Sequence, residues 1–203
     1  MRCKSRQKED IVDFLALVEA ARTCRRFDES RPLSEADLEW LVDCARLSPS
    51  ARNAQELRFI IINAGKACEE LFGYCRFAGA LKDWNGPARG ERPTAFIAVL
   101  MPEKDNNLLC YDCGIACMAI QLGATSRGQG CCIVQSFARD KAEKLLQPPA
   151  GMKIALVLAL GVAAEKRVVD GPRPDASLAY WRDGDNVHHV PKRPLSELIV
   201  GRF

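Results

Sequence analysis

The sequence lacks the marks of several protein classes. Its first ten residues, MRCKSRQKED, hold no apolar run, so a secretory leader is not expected and the chain reads as cytoplasmic. The longest weakly polar stretch, residues 108–123, contains Asp112 and Gln121 and falls short of the roughly 20 apolar residues of a membrane span, so no membrane role is expected. Neither charge sign dominates. With 29 basic and 26 acidic residues the formal net charge is +3, too little for a broad field drawing in nucleic acid. Histidine is scarce: His188 and His189 stand together without the cysteine or carboxylate spacing of a metal site. Gly-x-Ser-x-Gly, phosphate-binding P-loop and His-Glu-x-x-His motifs are also missing. No catalytic side chain and no metal ligand is therefore assigned.

Cysteine is present in quantity, at ten residues, but in a chain without an export signal these read as reduced thiols. Cys110, Cys113 and Cys117 recur at helical spacing among apolar neighbours, where free cysteine behaves as a small core residue; Cys131 and Cys132 follow later. A chain of 203 residues, 48% of them hydrophobic, can bury one sizeable core, so residues 1–203 are read as a single domain.

Ile11, Phe14, Leu15, Val18 and Ala21 predict an amphipathic first helix beginning near Glu9. Ser34 with Asp37 forms a capping box for a second helix that stops before Pro49. Residues 57–62, 94–100 and 154–160 read as strands buried on both faces, the last ending at Gly161. Helices are expected at residues 67–77, 108–125 and 139–146, and a short strand at 131–134. The order is α-α-β-α-β-α-β-α-β. From Glu165 onward prolines break up polar stretches without periodicity, so residues 166–203 read as an extended tail, long enough to wrap a second subunit.

Four stretches could carry chemistry. Arg22-Thr23-Cys24-Arg25-Arg26-Phe27 offers an anion clamp of guanidinium forks and a hydroxyl, or else complements a helix dipole. In Pro49-Ser50-Ala51-Arg52-Asn53-Ala54-Gln55, the amides of Asn53 and Gln55 can read the alternating donors and acceptors of a pyrimidine-like ring, or merely shape a turn. Ser126-Arg127-Gly128-Gln129-Gly130 joins a helix to a strand and either admits a ligand to the backbone or caps the helix. Lys192-Arg193, stiffened between Pro191 and Pro194, can close over a phosphate, with Lys166-Arg167 as a competing basic pair.

Order and spacing together resemble the nitroreductase family of flavin enzymes. The likeness rests on Arg22-Thr23-Cys24-Arg25-Arg26-Phe27, Pro49-Ser50-Ala51-Arg52-Asn53-Ala54-Gln55, the Asp112-Cys113-Gly114 start of a long central helix, Ala159-Leu160-Gly161, and Pro191-Lys192-Arg193. It departs at Ala21, where many members carry arginine, and in lacking a long lid insertion. The resemblance implies an α+β nitroreductase-like fold, with a mostly antiparallel central sheet flanked by helices and a C-terminal tail wrapping a homodimer partner. It implies FMN, with Arg22, Thr23, Arg25, Arg26, Lys192 and Arg193 around the phosphate and ribityl chain. Asn53 would face the pyrimidine edge, supported by Ser50 and Gln55, while the Gln129-Gly130 backbone would lie near the reactive nitrogen. NAD(P)H would be the donor, and a nitroaromatic, quinone or similar small molecule the acceptor, in a ping-pong cycle. The alternatives are a flavin-modifying or dehalogenating enzyme on the same fold, a cysteine-based redox or metal sensor, or a non-catalytic binding protein.

Overall fold

The computed structural model describes residues 13–63, 65–104 and 107–203. Its central sheet is antiparallel throughout. Strand β5 (Met152–Ala163) lies inside it, with β3 (Ala95–Pro102) along one edge and β4 (Gln129–Val134) along the other. Beyond β3, the two-residue strand β1 (Phe27–Asp28) continues the same row by pairing with Ala163 and Val162, while β2 (Arg58–Asn63) is an outer strand against β3. The α+β architecture with an antiparallel sheet agrees with the sequence reading.

Alternation along β3 divides the core into two layers, as a period of two requires. Ala95, Ile97 and Val99 pack under α2 (Glu35–Arg46) and α4 (Asn107–Ser126). Phe96, Ala98 and Leu100 pack under α3 (Gly65–Tyr74) and α5 (Arg139–Leu146). The α2 start matches the expected capping box: Ser34 Oγ accepts from the Asp37 N–H at 3.1 Å, and Asp37 accepts from the Ser34 N–H at 3.2 Å.

Several expectations change. Asp13 is extended and caps α1 (Phe14–Ala20), so that helix starts later than Glu9, and none of its residues is buried; Ile11 lies outside the described residues. Strand β2 is buried only at Ile62, because an outer strand has one neighbour. The long helix α4 has 20 residues, reaching the length that the sequence reading denied it, and nearly half of it is buried against the sheet and α2. Gln129 and Gly130 belong to β4 rather than to the preceding turn, and Gly161 continues β5 instead of ending it.

Gly130 and Gly161 face each other across β4 and β5 for a packing reason. A Cβ on Gly130 would stand 2.5 Å from Cys24 Sγ, and one on Gly161 would stand 3.0 Å from Phe27. Their bare backbones let the fully buried Phe27 settle on the sheet, a burial contributing about 1.5–3 kcal/mol.

The tail also has structure. Strands β6 (Arg167–Asp170), β7 (Trp181–Arg182) and β8 (His188–Pro191) form a second sheet, with β6 and β8 parallel, before the short helix α6 (Leu195–Leu198). The pattern was hidden because these strands are two to four residues long.

Candidate active site

Past α1, every third side chain turns inward: Ala21, Cys24 and Phe27 are buried. Cys24 is tied to β4 by its N–H donating to the Cys131 carbonyl at 2.9 Å. This leaves Arg22, Thr23 and Arg25 to line a cleft of about 260 Å³, to which β8 adds His188 and the residue just past its end, Lys192. Among the described residues, the side chains of Arg22, Arg25 and Lys192 have no carboxylate ion pair.

The tail positions Arg25 on three sides. Its backbone N–H donates to Glu165 Oε1, whose other oxygen takes a 2.9 Å bond from Arg182. Its guanidinium lies 4.6 Å over the Tyr180 ring, and its Nη1 stands 3.1 Å from His188 Nε2. A guanidinium can only donate, so Nε2 accepts and the His188 proton sits on Nδ1. Burial, then the positive charge of Arg25, hold the His188 pKa down at about 4, so its ring is neutral near pH 7. His188 Nδ1 and Arg22 Nε are both buried donors without a partner. An acceptor-rich polyhydroxyl phosphate suits such a lining.

A second cleft of about 390 Å³ contains Ser50 and Gln55, with Asp112 and Ala116 of α4 in its wall. It shares no lining residue with the first, which meets α4 at Met118 and Gln121. Asp112 accepts from the Ala51 N–H at 2.9 Å, and this bond explains the aspartate of the Asp112-Cys113-Gly114 element. Ser50 Oγ accepts from the Gln55 N–H at 3.3 Å. Arg52, Asn53 and Gln55 have φ of 55°, 53° and 50°, left-handed conformations that non-glycine residues adopt at a cost.

The structure thus brings together Arg22, Thr23, Arg25 and Lys192, and separately Ser50 and Gln55, with Asn53 exposed in the same loop. Other expected ligands point elsewhere. Arg26 pairs with Glu91 at 3.4 Å and approaches the Trp84 ring, and Arg193 pairs with Glu197 at 3.0 Å on the surface. Gln129 is buried with its Oε1 unpaired, and Gly130 is enclosed by Cys24 and Phe27. Sequence reasoning missed Tyr180, Glu165 and Gln121, and passed over His188 because it looked only for metal spacing. No local signal marks them, since Arg25 and His188 stand 163 residues apart.

The family model "Nitroreductase family" matches residues 18–83 and 77–162, and the chain belongs to that family. A curated relative, "Oxygen-insensitive NADPH nitroreductase" of Helicobacter acinonychis (strain Sheeba), is 24% identical over 198 residues, covering 81% of this chain and 94% of the relative. Among solved structures, a nitroreductase family protein of Streptococcus pneumoniae TIGR4 superposes with a TM-score of 0.67 at 16% identity, covering 94% of this chain and 100% of the other. A putative nitroreductase of Desulfovibrio desulfuricans, solved in complex with FMN, gives 0.66 at 20% identity, covering 94% and 97%. At these identities the structures establish a shared fold.

Proposed function

We propose that this chain acts as a homodimer that binds FMN and passes electrons from NAD(P)H to a small organic acceptor, such as a nitroaromatic or quinone, in a ping-pong cycle. The observation that carries the reading is the division of the expected ligands between two clefts with no residue in common. In the dimer, the Arg22–Arg25 cleft of one copy completes a site with the Pro49–Gln55 loop of the other. The FMN complex of one structural neighbour and the NADPH in the name of the curated relative support the cofactor and the donor.

Thr23, Arg25 and Lys192 would hold the phosphate, with Arg22 and His188 donating to ribityl oxygens and Asn53 and Gln55 of the second copy meeting the ring edge. Bound FMN supplies the hydride chemistry, so the protein need only bind, orient and exclude water. Exposed apolar side chains favour a partner: Leu108, Tyr111 and Ile115 on α4, and Phe14 and Leu15 on the unburied α1. The C-terminal run, with Leu195, Leu198 and Val200 exposed, suits a tail laid on the second copy.

An absorbance spectrum of the purified protein, followed anaerobically on addition of NADH and then NADPH, tests this reading. A flavin band that bleaches with either nucleotide and returns on adding a quinone is expected. A colourless protein that takes up no FMN on titration contradicts it.

A further inference from the structure

A third cleft, of about 530 Å³, lies apart from both halves of the candidate site. Strand β4 ends at Val134 opposite Val157, so β5 runs on toward Met152 without that neighbour, and the cleft opens along residues 153–156. Cys110 and Cys113 of α4 line it together with Arg139 and Lys153. Arg139 rests over the Phe137 ring at 4.7 Å, and Lys153 Nζ donates to the Glu103 carbonyl at 3.4 Å. Among the described residues neither cation pairs with a carboxylate, and Glu143 on α5 is engaged by the Ile154 N–H at 3.3 Å. The cleft therefore sets an exposed thiol, Cys110, and a buried one, Cys113, beside two positive charges that have no carboxylate partner among the described residues.

These thiols differ from the other described cysteines. Cys110 alone is exposed. Burial pushes Cys24 and Cys75 up to about 12 and Cys132 up to about 11, and raises Cys131 and Cys44 as well. Cys113 moves the other way, because its sulfur accepts a hydrogen bond from Cys117. Cys110 and Cys113 stand three positions apart on the helix, which sets their Cα atoms about 5 Å apart, inside the roughly 4.4–6.8 Å range a disulfide requires.

We propose that Cys110 and Cys113 form a dithiol that exchanges with a low-mass disulfide bearing carboxylates, which Arg139 and Lys153 receive. The Cys110 thiolate attacks one sulfur of the small disulfide, forming a mixed disulfide and releasing one small thiolate. Cys113 then attacks the Cys110 sulfur, closing the Cys110–Cys113 bond and releasing the second. The two protein thiols lose two electrons and two protons, and the small disulfide gains both as two thiols. Cys110 is exposed and lines this cleft with residues 153–156 of β5, and the cleft shares no lining residue with the two clefts of the candidate site.

Reduced, full-length protein is incubated with equal concentrations of oxidised glutathione, which carries carboxylates, or cystamine, which carries ammonium groups, and the thiols are mapped by alkylation and peptide mass spectrometry. The expected result is a linked Cys110–Cys113 peptide two hydrogens lighter, formed roughly tenfold faster with oxidised glutathione. C110S abolishes it, C113S stops at the mixed disulfide, and R139Q with K153Q removes the rate advantage. Equal rates with the two reagents, unchanged thiol loss in C110S, or a wild-type adduct that never closes would overturn the proposal. Should C113S fail to fold, the linked wild-type peptide and the C110S comparison still decide.

Discussion

His188 and His189 adjoin in β8 yet meet opposite surroundings. His188 is 1% exposed beside Arg25, and its depressed pKa means that the unfolded chain takes up its proton first. Its contribution to stability is complete above about pH 6.5 and is lost as pH falls toward about 4. His189 lies between Asp170 at 2.5 Å and Asp183 at 3.1 Å and stacks on Trp181 at 4.1 Å. Hydrogen bonds to the two carboxylates raise its pKa against the opposing effect of burial, so its contribution is complete below about pH 6.5 and is lost as pH rises through the folded value. An NMR titration of the imidazole resonances should show one histidine protonating only well below pH 6 and the other above 6.5. Two coincident titrations would contradict both placements.

Arg25 carries the largest single expectation at this scale. Replacing it with Gln removes charge-assisted hydrogen bonds worth about 1.5–3 kcal/mol, so FMN affinity should fall roughly 10- to 100-fold in fluorescence titrations. Arg22, Thr23 and Arg25 stood out in the sequence as basic residues beside a hydroxyl, and Lys192 as part of a basic pair between prolines, and the structure gathers them in one cleft. The role of His188 could not, since its neutral state depends on burial by segments far along the chain.

The Pro49–Gln55 loop shows how an element is held in a conformation its residues disfavour. Left-handed backbone costs a non-glycine residue about 1–2 kcal/mol, and Arg52, Asn53 and Gln55 all adopt it. Arg52 is exposed and makes no hydrogen bond among the described residues, so R52G should raise stability by about 0.5–1 kcal/mol in urea unfolding. Asp112 restrains the same loop from α4. D112A leaves the Ala51 N–H unpaired, with an expected loss of about 1–3 kcal/mol in stability and weaker FMN binding, both measurable on the one variant.

At this scale α2 and β3 were legible, because a capping box and a buried run with β-branched residues are local signals. Strand β1 was not, since its two residues are held by partners in β5 and by glycines more than 100 positions later. The start of β4 was misread for a related reason: glycine at residue 130 suggests a turn, whereas the strand needs it to admit Cys24.

For the whole molecule, the sequence announced both halves of the candidate site but could not place them in separate clefts. The exposed stripe of Leu108, Tyr111 and Ile115 on α4 belongs to this scale, because in a lone chain it faces water. If it packs on a second copy, Y111E with I115E should shift the protein from dimer to monomer in light scattering and lose flavin with it.

Mixing two defective variants tests the shared site most directly. R25Q damages the phosphate half and N53A the ring half, so each homodimer should bind FMN poorly. Unfolding and refolding them together should make half the dimers mixed, each with one site built from two intact halves. Flavin content should then recover to about a quarter of the wild-type value per chain. No recovery above the two separate variants, from refolded dimers, would contradict a site shared between subunits.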